Sequence, residues 1–270
     1  MEFSVLMAVY RKENPAWFRE ALESIFRQTV QPDEIVLVKD GGLTEELDAV
    51  IDEYKARHPL FRIVENPTNM GLGLSLRKGV EACSFDLIAR MDSDDLLPAD
   101  RFEKQLARMR EGYDVVSCWS IIFKGSLDHV VALKTRPEHH GQIVKLAHSR
   151  SPVCHAACFL RRQKVLEAGN YVHCPYYEDY HLWVRMILAG ARFYNCQEPL
   201  YYIRTSDEQL NRRSGFAYLK NELRTFVAFR QMGFYSAADV VRNSAIRIGA
   251  RLAPKWLRTF LFKKIWNHKN

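Results

Sequence analysis

The 270-residue chain has no run of eighteen uncharged apolar residues, which excludes a helix that spans a bilayer. Its six cysteines, at 83, 118, 154, 158, 174 and 196, include no CxxC pair. Neither a zinc ribbon nor a disulfide framework is expected, and free thiols in a reducing compartment fit better. The start, Met1-Glu2-Phe3-Ser4, lacks a basic segment, an apolar core and a cleavage site, so a cytoplasmic location is expected rather than secretion. There is no internal repeat, no low-complexity linker and no Gly-x-Gly-x-x-Gly fingerprint.

What is present has a globular balance, 47% apolar and 26% charged, far from the composition of disordered chains. The net charge of +7 is uneven. Residues 201–270 carry 14 Lys/Arg against 4 Asp/Glu, and the first 200 carry 25 against 28. The basic character therefore belongs to the C-terminal part, which suits a membrane surface, a nucleic acid or phosphorylated ligands.

Two periods alternate over the first hundred residues. Val5–Val9, Ile35–Val38, Phe61–Val64 and Leu87–Met91 are short apolar runs of strand length. Between them, helical spacing links Trp17, Phe18, Ala21, Leu22, Ile25 and Phe26 behind Pro15, then Leu47, Val50, Ile51 and Tyr54, then a segment from about Gly71 to Ala82. Near-continuous apolar strands separated by helices predict an α/β fold with a mostly parallel sheet covered on both faces. Such sheets bind ligands at the carboxyl ends of their strands, where Asp40 and Asp92–Asp95 fall. Further on, Phe102, Gln105, Leu106 and Met109 predict a helix, Val115–Trp119 a strand, His129–His140 a loop and hairpin region, and Glu178 a helix that stops at Gly190. From Gly215 onward helical stripes run through Leu219, Leu223, Phe226 and Phe229, through Val240, Val241, Ile246, Ile248 and Leu252, and through Trp256, Leu257, Phe260, Leu261 and Ile265.

Asp92-Ser93-Asp94-Asp95 gathers three carboxylates within four residues after an apolar strand. An acidic turn that caps a helix would account for the cluster alone. A bound Mg²⁺ or Mn²⁺, which favours carboxylate oxygens and shares them with substrate phosphates, would also remove the repulsion. Asp40-Gly41 is either an everyday turn or an acceptor for a base or ribose. Asn69-Met70-Gly71-Leu72-Gly73 permits close backbone approach. Glu178 and Asp179 suit a helix first turn through the macrodipole, and a carboxylate there also suits a general base. Arg212-Arg213, with Arg204 nearby, reads equally as a diphosphate clamp and as a solvated basic face. His155, beside an apolar run, reads first as a core histidine; with Cys154 and Cys158 it has no fourth ligand for zinc.

Taken in order, Ser4–Tyr10, Gln28-Thr29, Val38–Gly41, Asn69–Gly73, Ala89-Arg90-Met91-Asp92-Ser93-Asp94-Asp95, Arg101-Phe102 with Gln105, and Glu178–Trp183 resemble the inverting family-2 glycosyltransferases of the GT-A fold, above all bacterial enzymes of capsule, O-antigen and exopolysaccharide synthesis. The Ala-Arg-Met-Asp-x-Asp-Asp element, a DXD motif, is the most specific part. The resemblance implies a GT-A domain over 1–214, with a nucleotide-binding part (1–100) and an acceptor-binding part (101–214), followed by a basic helical extension (215–270). It implies that Ala8, Tyr10 and Asp40 frame the nucleotide base, Asp92 and Arg90 contact the donor, Asp94 holds a divalent metal (Mn²⁺ or Mg²⁺), and Asp179 is the general base. Arg212 and Arg213 would lie near the diphosphate, with Asp95, Glu178 and His155 in support. Many relatives carry a histidine after the tyrosine-rich strand; Tyr201-Tyr202-Ile203-Arg204-Thr205 has none.

The expectation is thus an inverting transferase that moves a hexose or N-acetylhexosamine from a nucleotide-sugar, with uridine diphosphate as the nucleotide, to a lipid-diphosphate-linked saccharide. Its place would be in the cytoplasm or at the inner face of the membrane, where the basic tail meets an anionic surface. Nucleic acid is not an expected partner. The rival expectations are a nucleotidyltransferase, which also uses carboxylate-bound metal, and a non-catalytic nucleotide- or polyanion-binding module, which has no use for acidic clusters beside its ligand.

Overall fold

A computed structural model of the chain describes residues 1–206 and 216–252. The chain divides into two compact units, Met1–Ser206 and Asp207–Asn270. The first unit runs β1 (Phe3–Val9), α1 (Pro15–Phe26), β2 (Glu34–Asp40), α2 (Glu45–Arg57), β3 (Phe61–Asn66), α3 (Leu72–Ala82), β4 (Leu87–Arg90), α4 (Arg101–Arg110), β5 (Val115–Lys124), β6 (Ser126–Lys134), α5 (His140–Ala147), β7 (Phe159–Arg161), α6 (Arg162–Glu167), α7 (Glu178–Leu188) and β8 (Phe193–Arg204).

One sheet of order β3-β2-β1-β4-β7-β5-β6 results, with β8 paired to β5. The first four strands are parallel: Ser4 faces Glu34, Ile35 faces Phe61 and Phe3 faces Leu87. β7 runs antiparallel to β4 and β5, and β8 parallel to β5. Side chains alternate faces along a strand, so Phe3, Val5 and Met7 of β1 pack with Phe18, Leu22, Ile51, Phe102 and Leu106 of α1, α2 and α4. Leu6 joins Leu76, Val80, Leu182, Trp183 and Met186 of α3 and α7 on the other face. Each such fully buried large side chain contributes roughly 1.5–3 kcal/mol of transfer free energy.

Local chemistry sets the helix ends. Asn14 Oδ1 accepts from the amides of Ala16 (2.9 Å) and Trp17 (3.2 Å), with Pro15 at the first helical position. Thr44 Oγ1 caps α2, whose first turn holds Glu45, Glu46 and Asp48 and whose last turn holds Lys55 and Arg57, in line with the macrodipole. α3 enters through Gly71 at φ +84°, a backbone region that side chains disfavour. Farther along α3, a Cβ on Gly79 would stand 2.2 Å from Leu6 Cδ1 and 3.1 Å from Val38 Cγ2.

The loop and hairpin region expected near His129–His140 is displaced: the β5–β6 hairpin turns at Gly125, residues up to Lys134 are strand, and α5 begins at His140. β5 runs on to Lys124, beyond the expected end at Trp119, because β8 and β6 extend its pairing. β6 is an edge strand with Val130 54% and Leu133 49% exposed. All six cysteines are free thiols. Among the described residues no helix is long and apolar enough to cross a membrane.

In the second unit, α8 (Phe216–Gln231) and α9 (Ala237–Leu252) are joined by an Arg247–Glu222 ion pair of 3.0 Å, and the Phe229 and Tyr235 rings meet edge to face at 5.3 Å. The expected stripe from Trp256 to Ile265 lies outside the described residues, as do Arg212 and Arg213.

Candidate active site

In a sheet of order 3-2-1-4 the crevice opens beyond the carboxyl ends of the strands on either side of the reversal, here β1 and β4. β1 leads into Tyr10 and β4 into Asp92-Ser93-Asp94-Asp95. The acidic loop is fastened to the end of β8. Leu96 and Tyr202 exchange two backbone hydrogen bonds of 3.0 Å. The Arg204 amide donates to Asp95 Oδ1 at 2.7 Å, and the Asp92 amide to the Tyr201 hydroxyl at 3.0 Å.

One carboxylate oxygen from each of Asp92, Asp94 and Asp95 lies within 4.8 Å of the others. Asp95 is 2% exposed, and burial first, then Asp94 and Asp92, hold its carboxyl well above the usual carboxylate range. Arg90, 1% exposed, pairs with Asp92 through Nη2. Burial works against its charge, and Asp92 more than offsets that, so its pKa rises. Arg90 Nε and Nη1 are buried without a hydrogen-bond partner. One guanidinium against three carboxylates leaves a negative excess, and the all-oxygen donor set suits a hard divalent cation. The residues present therefore fit the metal that the motif implies.

The Glu178-Asp179 pair lies within electrostatic reach of the acidic loop. It opens α7. Glu178 is pushed up to about 7 by burial and then by Asp179, and it responds to both Arg90 and Asp92. Asp179 Oδ2 accepts from Ser151 Oγ at 2.9 Å, and the Tyr180 hydroxyl donates to the Ala147 carbonyl, so the loop after α5 is tied to α7. A Cβ on Gly73 would lie 3.0 Å from Glu178 Cβ. The tight spacing that Gly73 allows brings the start of α3 against the start of α7.

Asp40 ends β2 and is 6% exposed. Its Oδ1 accepts from Asn66 Nδ2 (3.0 Å) and the Met70 amide (2.7 Å), and its Oδ2 from the Gly71 amide (3.0 Å). This carboxylate thus holds the Asn69–Gly73 loop, and Oδ2 has acceptor capacity left. Ala8 is half-buried on β1 opposite Val38, and Tyr10 follows the strand. His155 Nε2 lies 2.7 Å from the Tyr171 hydroxyl, with Trp183 edge-on at 5.8 Å. Burial and then Arg90 push its pKa well down, so the ring is neutral at pH 7. Arg204 is built into the loop: Nε donates to the Asp94 carbonyl (2.9 Å), Nη1 to the Gly125 carbonyl (2.8 Å) and Nη2 to Glu20, while the guanidinium lies over Trp17 and Phe123. A diphosphate clamp from Arg204 would require breaking that set.

Three participants carry no plain sequence signal. Glu13 accepts from Ser93 Oγ at 2.6 Å, and burial raises its carboxyl, but in Arg11-Lys12-Glu13-Asn14 it looks like a solvated charge run. Tyr201, wholly buried, reads as core. Arg101 is fully buried and donates to the Arg90 carbonyl and Gln105 Oε1, each at 2.8 Å; the Arg101-Phe102 and Gln105 element was its one clue.

The sequence matches the profile of Glycosyl transferase family 2 over residues 4–169 and that of Glycosyl transferase family group 2 over 87–265. It is 35% identical to a UDP-Gal:alpha-D-GlcNAc-diphosphoundecaprenol beta-1,3-galactosyltransferase of Escherichia coli, covering 98% of this chain and 96% of that one. It is also 35% identical to the amylovoran biosynthesis glycosyltransferase AmsE of Erwinia amylovora, covering 97% and 98%. Among solved structures, S. aureus TarS 1–349 in complex with UDP-GlcNAc aligns with a TM-score of 0.66 at 16% identity, over 84% of this chain and 66% of that one. A mannosyltransferase from Pyrobaculum calidifontis, in complex with GDP-Man and Mn²⁺, aligns at 0.59 and 14% identity, over 98% and 79%. These two share the GT-A fold with this chain. With the acidic loop at the β1–β4 crevice and near full-length relatives at 35% identity, the chain belongs to glycosyl transferase family 2 and is a glycosyltransferase.

Proposed function

We propose that the protein transfers a hexose or N-acetylhexosamine from a UDP-sugar, with inversion, to a hydroxyl of a lipid-diphosphate-linked saccharide during surface polysaccharide synthesis. What supports the reading is that Asp179, held by Ser151, directly follows Glu178, whose carboxyl is within electrostatic reach of Arg90 and Asp92 of the acidic loop. The E. coli relative, named for a diphosphoundecaprenol-linked acceptor, supports the substrate class.

In this reading Ala8, Tyr10 and the remaining acceptor capacity of Asp40 Oδ2 frame the base. Arg90 and Asp92 meet the donor sugar and ribose. Asp94, with Asp92 and Asp95 beside it, would hold a divalent cation, which when bound neutralises charge on the departing diphosphate. Asp179 takes the proton of the acceptor hydroxyl as its oxygen bonds to the anomeric carbon. The bond from that carbon to the diphosphate oxygen breaks on the opposite side, and the nucleoside diphosphate leaves. Glu178, with its carboxyl near 7, is largely protonated below that pH and adds little negative charge beside the base. His155, neutral and bonded to Tyr171, supports the wall behind Arg90. Arg212 and Arg213 are assigned to the diphosphate by family resemblance. The exposed Val241 (69%) and Ile246 (58%), next to Arg242 and Arg247 on α9, support peripheral contact with an anionic inner membrane surface.

The test is Asp179→Asn. Turnover should fall roughly 10²–10⁴-fold with donor binding retained. Full turnover by the folded variant would remove Asp179 as the base.

A further inference from the structure

The site holds a second unresolved charge, of opposite sign to the acidic loop. Arg136 lies between β6 and α5, and its carbonyl is fixed twice, by Trp119 Nε1 at 3.1 Å and Gln197 Nε2 at 3.2 Å. The backbone is thereby set at this residue, while the guanidinium is poorly served. Nη1 donates to the carbonyl of the adjacent Thr135 at 3.0 Å, and Nε is buried without a partner. Among the described residues, Asp179 is the carboxylate within electrostatic reach of it. Arg136 itself is half-buried, but an unsatisfied buried donor such as its Nε calls for a reason in a native fold.

The surroundings supply the reason. Burial first, and then the nearby Arg150, disfavour the charge on Arg136, while Asp179 is the site carboxylate that favours it. Arg150 is exposed and directly precedes Ser151, whose hydroxyl holds Asp179. Arg136 and Arg150 thus lie within electrostatic reach of each other, and Arg150 belongs to the loop that Ser151 ties to Asp179. An anion between them would satisfy Arg136 Nε and end the repulsion.

Which anion follows from the displacement geometry. Attacking and leaving oxygens stand on opposite sides of the anomeric carbon, so groups gathered around the base face the acceptor and not the departing nucleotide. We propose that Arg136 and Arg150 form a subsite for the diphosphate of the acceptor, which gives the enzyme its preference for a sugar carried on a diphosphate over one carried on a neutral aglycone. This rests on the reading of Asp179 as the base.

The test uses the full-length protein with its donor site saturated by metal and uridine diphosphate. Hexyl diphosphate is titrated in by calorimetry, with hexyl glucoside as the neutral control. Arg136→Gln and Arg150→Gln should each weaken hexyl diphosphate binding about 10–100-fold, the effect of losing a charge-assisted hydrogen bond, and leave uridine diphosphate affinity unchanged. Arg150, being exposed, gives a folded variant even if Arg136→Gln is unstable. Equal binding by wild type and Arg150→Gln, or competition between hexyl diphosphate and uridine diphosphate for one site, overturns the subsite. A normal titration pattern together with an active Asp179→Asn enzyme sinks the base assignment and leaves the subsite standing.

Discussion

Two acidic strand ends lie near each other in this molecule, and they are built in opposite ways. At the end of β2, Asp40 is buried with three donors on its two oxygens, all from the loop it organises. At the end of β4, three carboxylates crowd within 4.8 Å, and one of them is held well above its normal pKa by burial and by its neighbours. The first carboxylate completes the fold. The second group is organised at the fold's expense, through Tyr201, Arg204 and Arg101. A carboxylate that is already satisfied contributes to stability, whereas a cluster left in conflict is poised for a ligand.

The largest effect should come from the cluster. Asp94→Asn should abolish metal-dependent uridine diphosphate binding and cut transfer by at least about 10²-fold. In chelator its urea midpoint should equal or exceed that of wild type, because the substitution relieves repulsion. Asp40→Ala should do the reverse, costing roughly 2–3 kcal/mol by urea unfolding as Asn66, Met70 and Gly71 lose their acceptor. Similar stability changes for the two variants would erase the distinction.

The smallest effect concerns Glu178, which lies between the two cases. Its folded pKa of about 7 exceeds the usual 4.5, so the folded state keeps the proton that the unfolded state releases. Wild type therefore loses stability as pH rises from about 4.5 to about 7 and no further above. Glu178→Gln removes that slope and should gain roughly 1–2 kcal/mol over wild type at pH 8 relative to pH 4, allowing for partial exposure. Urea midpoints at the two pH values decide it; a pH-independent difference would mean that Glu178 is not the buried acid.

The four parallel strands and their helices were legible because strands buried on both faces must be apolar throughout. Phe3–Val9 and Glu34–Asp40 are buried almost without interruption. The second half was less legible. β6 is largely exposed, and β8 mixes Asn195, Gln197 and Glu198 into a strand whose partner lies far back in sequence. The acidic motifs were visible as residues. Their proximity was not, since Glu178 comes within electrostatic reach of Asp92 only when the starts of α3 and α7 pack together. The roles of Arg101, Tyr201 and Arg204 escaped for a related reason, although Arg101 and Arg204 stood out as residues: each acts on the loop through carbonyl, amide or ring contacts, which leave no pattern in a single sequence.

Gly79 has a consequence for how this domain can diverge. Its α-carbon sits so close to the sheet that a methyl group there would overlap Leu6 and press on Val38. The spacing between α3 and the sheet is therefore a property of three positions on three elements. A larger residue at 79 needs smaller ones at 6 and 38 in the same step, or the start of α3 shifts and takes Gly71 and Gly73 with it. Single substitutions at 79 should be rejected where compensated triples are accepted, so positions 6, 38 and 79 form one unit of covariation that carries no chemistry of its own yet governs where the chemistry stands.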